Sequence, residues 1–89
     1  MTFGEAIEAL KGGKRAQRAG WNGKDMWIAL IHPGNAMFVK FRSSLPMQPC
    51  IGMKTAQNEM QPGWLASQAD MLADDWDIVE DVPPVSEGR

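Results

Sequence analysis

Residues 26–32 read Met-Trp-Ile-Ala-Leu-Ile-His, and Met26–Ile31 is the longest strictly apolar run of the chain. Aromatic and β-branched residues in so short a run are typical of a buried β-strand. The run is also far shorter than the ~20 residues needed to cross a bilayer. Turn signals stand on both sides, Gly20-Trp21-Asn22-Gly23 before it and Pro33-Gly34-Asn35 after it. The stretch therefore predicts a strand–turn–strand meander.

Further strands are expected on either side of this run. Residues 14–21 form a short strand that enters the first turn, and Met37–Arg42 alternates with one apolar face. Residues 50–55 and the segment from Trp76 to Val82 complete the predicted set, the last one at a sheet edge. Breaks are predicted at Ser43–Pro49, at Gln57-Asn58-Glu59, at Pro62-Gly63 and at Pro83-Pro84.

Two helices carry recognisable N-terminal signals. Thr2-Phe3-Gly4-Glu5 fits a capping box and predicts a helix over residues 3–11, which Gly12-Gly13 ends. Ser67-Gln68-Ala69-Asp70 fits a second one and predicts a short helix to about Asp74. The expected fold class is α+β: a small antiparallel sheet with an N-terminal helix and a second short helix.

The chain has 89 residues and a mass of 9.8 kDa, which is enough for one domain. We expect that domain over residues 1–82 and a C-terminal tail over residues 83–89. Its core is necessarily thin, and Cys50 as the only cysteine permits no internal disulfide. Self-association is then the expected source of added stability, so a homo-oligomer is predicted. A thiol and the absence of a signal-peptide pattern favour the cytoplasm.

Charge is unevenly distributed along the chain. The net charge is −2, but residues 1–42 carry seven Lys/Arg and three Asp/Glu, whereas residues 43–89 carry two and eight. An acidic balance argues against binding of long nucleic acid, which needs a basic footprint. Two interpretations remain open: ordinary solvated faces, or a basic patch for a small anion beside an acidic half that repels DNA.

Catalytic chemistry finds little support. One His, one Cys and no Tyr leave few nucleophile–base combinations, so a structural role is favoured for His32 and a small buried hydrophobe for Cys50. The Gly23-Lys24 pair lacks a phosphate-binding loop frame. Asp70, Asp74 and Asp75 could hold a divalent cation, but Asp70 has a structural duty at a helix start. We expect no enzyme activity, no cofactor and no metal.

The four tryptophans divide into two pairs. Trp27 and Trp76 lie within predicted strands and are expected in the core. Trp21 and Trp64 stand at glycine-containing breaks beside polar residues. Each of these two either plugs one end of a thin core or offers an open face to a nucleobase, worth ~1–3 kcal/mol when stacked.

Two long stretches resemble a known family. The first is residues 1–14 with Arg18-Ala19-Gly20-Trp21-Asn22-Gly23-Lys24, and the second is Met53-Lys54-Thr55-Ala56 with residues 63–76. Together, over residues 2 to about 80, they resemble a phage family long catalogued as a domain of unknown function, which includes the second type of Thoeris anti-defence proteins. The chain departs from it in a shorter segment 33–49 and in Gln57-Asn58-Glu59 in place of an Asp-Gly turn.

The resemblance implies a sponge that sequesters cyclic ADP-ribose-type immune signals (gcADPR among them) without cleaving them, in the cytoplasm of the infected bacterial host. Some members also take up cyclic dinucleotides of the CBASS defence at separate sites. It further implies a homotetramer with signal pockets between protomers. The ligand-binding residues expected from the matching motifs and their neighbours are Arg18, Trp21, Asn22, Gly23, Lys24, Lys54, Thr55, Trp64, Ser67 and Gln68.

Two alternatives from other classes stay open at this point. One is a phage interaction protein that masks a host protein through exposed tryptophans. The other is a metal-dependent nucleotide hydrolase that uses the three carboxylates of residues 70–75.

Overall fold

The computed structural model describes residues 1–21, 25–32 and 48–79. Its elements in chain order are helix α1 (Phe3–Lys11), strands β1 (Arg15–Arg18), β2 (Trp27–Ile31), β3 (Cys50–Lys54) and β4 (Met60–Pro62), helix α2 (Gln68–Leu72) and strand β5 (Trp76–Val79). The strands form one antiparallel sheet in the order β4-β3-β2-β1-β5. The predicted α+β class is confirmed, as is the edge position of the last strand.

Helix α1 begins and ends where its sequence signals predict. The Glu5 amide donates to the Thr2 hydroxyl over 3.2 Å, and the Glu5 carboxylate accepts from the Thr2 amide over 2.7 Å. These reciprocal bonds form the expected capping box. At the other end Gly13 adopts a φ of 90°, a left-handed conformation that glycine tolerates and that stops the helix.

The core lies between α1 and one face of the sheet. Helix α1 contributes Ala6 and Leu10, and strands β1, β2 and β5 contribute Ala16, Ile28 and Trp76. The register places Ala16 directly between Ile28 of β2 and Ile78 of β5. Because Ala6 and Ala16 are short and fully buried, the helix can approach β1 closely.

The prediction that Trp27 belongs to the core is wrong. Trp27 is half-buried outside the core cluster, and the Arg15 guanidinium carbon lies 4.8 Å from its ring centroid. Successive strand residues point to opposite faces of a sheet, so Ile28 takes the core position and Trp27 the opposite one. The unbroken apolar run concealed this alternation.

Two boundaries differ from the predictions. Helix α2 ends at Leu72 rather than near Asp74, so Asp74 lies beyond it. Residues 60–62, expected to lead into a break, form the short edge strand β4. The turn at residues 57–59 is confirmed: Asn58 has a φ of 63°, and the Thr55 amide donates to the Glu59 carbonyl over 2.8 Å.

Several predictions lie outside the described residues. These are the turn at Pro33-Gly34-Asn35, the strand Met37–Arg42, most of the break at residues 43–49, and the tail over residues 83–89. Among the residues placed by the structure, neither helix has the length or apolar character to span a membrane.

Candidate functional site

The turn that follows β1 is bound to the segment that precedes β5. The Arg18 Nε donates to Asp75 Oδ1 over 2.8 Å, and the Gly20 amide donates to Asp75 Oδ2 over 2.9 Å. The Ala19 amide donates to the Asp75 carbonyl over 3.2 Å. A Cβ at position 20 would lie 3.0 Å from that carboxylate and 3.2 Å from Arg18 Nη2, so a larger residue there would press on both partners of the ion pair.

Asp70 on α2 forms the second attachment. Its Oδ1 accepts from Arg18 Nη1 over 2.8 Å and from Trp21 Nε1 over 3.2 Å, and its Oδ2 accepts from the Ser67 amide over 3.1 Å. The Asp70 carbonyl also accepts from the buried Trp76 Nε1 over 2.9 Å. One residue therefore binds two indoles and a guanidinium, and Asp70 is buried as a result.

The hydrogen bonds among Arg18, Asp70 and Asp75 favour the ionised form of each of the three side chains. Burial opposes ionisation of Asp70, but hydrogen bonds from Arg18, Ser67 and Trp21 outweigh it and lower the pKa of its carboxyl from 3.8 to about 2. The hydrogen bond from Arg18 likewise lowers the pKa of Asp75. Asp75 and then Asp70 raise the pKa of Arg18 above its ordinary value. A single cation thus faces two carboxylates.

Three indoles converge beside this ion network. Trp21 meets Trp76 edge to face with centroids 5.3 Å apart, and Trp64 meets Trp76 in the same manner at 6.3 Å. Trp21 and Trp64 are 6.2 Å apart with their planes at 66°. Trp76 is only 2% exposed, whereas Trp21 and Trp64 are half-buried. We name Trp21, Trp64 and Trp76 the tryptophan cluster.

The geometry of the tryptophan cluster limits how it can bind a planar ring. A base held between two parallel indoles needs roughly 7 Å between their planes, about 3.5 Å on each side. Trp21 and Trp64 are closer than that and strongly inclined. A base therefore cannot be inserted between them.

The structure brings together some of the predicted site residues. Arg18, Trp21, Trp64 and Ser67 meet around Asp70 or within the tryptophan cluster. The Ser67 hydroxyl accepts from the Asp70 amide over 3.0 Å, which confirms the second capping box. Gln68 is exposed at the first position of α2.

Other predicted site residues are held elsewhere. Lys54 lies on β3, and its Nζ donates to the Asp25 carbonyl over 2.8 Å. Thr55 follows β3, and its hydroxyl accepts from the Glu59 amide over 3.2 Å. Asn22, Gly23 and Lys24 lie outside the described residues, so their predicted contacts stay predictions.

The acidic residues are not arranged as the metal hypothesis required. Asp74 lies past the end of α2, so it does not share a helix face with Asp70, and Asp70 and Asp75 both bind Arg18. Across the described ranges no three His, Cys, Asp or Glu side chains are grouped to hold a metal ion. His32 is exposed after β2, and Cys50 is a half-buried thiol.

Sequence reasoning missed the two partners of Arg18. The sequence suggests a helix start or a metal ligand for Asp70 and a metal ligand for Asp75, but a partner for Arg18 in neither case. Both stand in the second of the two long motifs and Arg18 in the first. Opposite charges in two motifs of one site were a signal that could have suggested the ion pairs.

Comparison with known proteins identifies the family of the chain. Residues 1–79 match the family model described as the Thoeris anti-defense 2-like domain. The chain is also 41% identical over 85 residues to "Thoeris anti-defense 2" of Bacillus phage SP01, an alignment that covers 89% of this chain and 94% of that protein. The two similarities support an anti-defence role. They show that the chain belongs to the Thoeris anti-defence 2-like family.

Proposed function

We propose that the protein is an anti-defence sponge that binds cyclic ADP-ribose-type immune signals and sequesters them uncleaved in the cytoplasm of the infected host. The observation that carries the proposal is the tryptophan cluster, in which two half-buried indoles rest on a buried third. Such indoles offer flat apolar surface to an adenine while the protein beneath keeps them in place. Membership of the Thoeris anti-defence 2-like family supports an immune signal as the ligand.

Ligand binding in this proposal depends on burial, stacking and polar contacts, because no bond is broken. A sponge has to compete with the host sensor, which requires nanomolar affinity, about −12 kcal/mol. Stacking on Trp21 or Trp64 supplies ~1–3 kcal/mol of this. The remaining affinity comes from polar groups around the ribose and phosphates, for which Thr55, Ser67 and Gln68 are the candidates among the described residues.

A pyrophosphate in the ligand also requires positive charge from the protein. Arg18 already faces Asp70 and Asp75, so this part of the site has more negative than positive charge. The role of Arg18 in the structure is therefore to hold the turn that ends in Trp21. We assign the phosphates to Lys54, which donates to the Asp25 carbonyl, together with Lys24 or a second protomer.

We propose further that the functional form is a homotetramer with the signal pocket between protomers. A pocket for such a ligand measures ~300–1,000 Å³, which an 89-residue chain can hardly enclose by itself. Leu65, three residues before α2 begins, is 88% exposed, and Leu72, the last residue of α2, is 83% exposed. A contiguous apolar patch is typical of a surface that another protein covers, and we propose that these two leucines belong to such a patch in the assembly. Cyclic dinucleotides would bind at separate sites of the same assembly.

Recovery of the ligand tests the mechanism. The protein is incubated with cyclic ADP-ribose isomers made by a Thoeris synthase, separated from unbound ligand and heated. A sponge releases the intact isomer, and a hydrolase releases a product. Light scattering at micromolar concentration should give a mass of four chains; a 9.8 kDa monomer would contradict the pocket between protomers.

Trp21→Ala tests the stacking surface. Its affinity should fall by ten- to a hundredfold, equivalent to ~1–3 kcal/mol, while the assembly persists. Trp27→Ala is the comparison variant, because it removes an indole from the opposite face of the same sheet. Trp27 pairs with Lys54 there, so a loss of affinity in this variant would report on the phosphate contacts and not on stacking. Full-strength binding by a folded Trp21→Ala variant would transfer the stacking role to Trp64.

The exposed Leu65 and Leu72 also favour one alternative, a protein that masks a host protein. Such a protein would bind none of the cyclic nucleotides in the recovery experiment. The hydrolase alternative loses its structural motivation, because two of its three carboxylates bind Arg18.

A further inference from the structure

We propose that Asp70 is a positioning residue that fixes the orientation of the Trp21 indole. The expected effect of Asp70 on ligand affinity rests on the proposed function, because Asp70 affects affinity only if Trp21 stacks on the ligand. The contact itself belongs to this chain alone: Asp70 Oδ1 accepts from Trp21 Nε1 over 3.2 Å.

Asp70 is itself held rigidly. Its backbone amide and one carboxylate oxygen form reciprocal bonds with Ser67, and its other oxygen binds Arg18. Its side chain is only 12% exposed, so these bonds are made with little competition from water. The acceptor that faces the Trp21 N–H therefore has a fixed position.

The Trp21 ring needs such a fixed acceptor. An indole turns about two side-chain torsions, and the torsion nearer the ring is broad and roughly two-fold. Edge-to-face contacts with Trp64 and Trp76 restrict where the ring lies. A directional bond to its single N–H favours the observed orientation over the flipped one. Asp70 supplies that bond, and through its carbonyl it also binds the N–H of Trp76.

A ring already held in its binding orientation loses less freedom when a ligand stacks on it. Re-immobilising one side chain on binding corresponds to a loss of about three- to tenfold in affinity. We therefore expect Asp70→Ala to weaken binding of cyclic ADP-ribose isomers by about three- to tenfold. It should also reduce the near-ultraviolet circular dichroism of tryptophan, which depends on ordered, closely spaced indoles.

Rescue by a conservative variant separates positioning from stability. Asp70→Asn removes the charge opposite Arg18 but keeps an oxygen that can accept from Trp21, so its affinity and dichroism should return toward wild type although its stability does not. Gly13→Ala is the stability control: it places a Cβ on a residue with a φ of 90° at the opposite end of α1, and it should lower the melting temperature without changing either readout.

The same question can be asked from the Trp21 side if Asp70→Ala does not fold. Replacement of the indole by benzothiophene keeps the ring system and removes the N–H, while the bonds of Asp70 to Arg18 and Ser67 remain. The same three- to tenfold loss and the same reduced dichroism are expected. A benzothiophene protein with wild-type affinity and dichroism would overturn the proposal, as would a folded Asp70→Ala variant with both unchanged.

The two proposals can fail separately. If the wild-type protein binds none of the cyclic ADP-ribose isomers, the proposed function fails. The dichroism and the quenching of tryptophan fluorescence by acrylamide still report whether Asp70 orders Trp21. If wild type binds but Asp70→Ala, Asp70→Asn and Gly13→Ala weaken binding equally, the function stands and the positioning role is refuted.

Discussion

Asp70→Asn should change how the stability of the protein depends on pH. In the wild type, hydrogen bonds in the folded state lower the pKa of this carboxyl from 3.8 to about 2. A carboxyl with a lowered folded-state pKa stabilises the fold at pH values above its unfolded pKa. That stability is lost as the pH falls through 3.8 toward 2.

The size of the effect follows from the same two values. The full shift corresponds to about 2 kcal/mol of unfolding free energy. Solvent screening on the open side of the site reduces this to about 1–2 kcal/mol. Asp70→Asn should therefore be less stable than wild type by that amount at pH 7, and the difference should vanish as the pH approaches 2.

Urea denaturation from pH 7 to pH 2.5, at one fixed protein concentration, measures this difference. Asp74→Asn is the control, because it removes an exposed carboxylate beyond the end of α2 and should keep the wild-type decline in acid. Parallel profiles of wild type and Asp70→Asn over the whole range would refute the reasoning. They would mean that the Arg18–Asp70 pair does not stabilise the fold.

Three further predictions concern the fold. Gly52→Ala should destabilise the protein by about 1–3 kcal/mol, because a Cβ there would overlap the Ile31 Cδ1; a melting temperature equal to wild type would contradict the register of β2 and β3. Thr2→Ala should lower the unfolding free energy by about 1 kcal/mol in urea denaturation, through loss of the α1 cap. Trp76→Ala should cost about 3–5 kcal/mol, and Trp27→Ala clearly less, since only Trp76 is in the core; equal losses in calorimetry would return Trp27 to the core.

Much of the fold could be predicted because its signals are local. The capping residues Thr2 and Ser67 fix the starts of both helices through bonds that span three residues, which a sequence displays directly. Strand β2 was found from composition alone. The face to which Trp27 points could not be found, because an apolar run carries no alternation to reveal it.

The site was harder to predict because its bonds are not local. Arg18 and its two carboxylates are 52 and 57 residues apart in the chain. Residue types suggested that Arg18 meets a phosphate, whereas the strand order brings β1 beside β5 and places Asp70 and Asp75 opposite it. Whether Arg18 binds a carboxylate of its own chain or an anion of a ligand depends on the sheet topology. No short motif encodes that topology.

The pairing of β1 with β5 has a consequence for how such chains can diversify. The turn that carries Trp21 is attached to the segment around Asp70 and Asp75, and strands β2, β3 and β4 extend the sheet away from that junction. Insertions or deletions in the connection between β2 and β3 would therefore lengthen or shorten the middle of the chain without displacing the junction. The protein of a related phage could differ in that connection, to suit a different signal, and keep the tryptophan cluster unchanged.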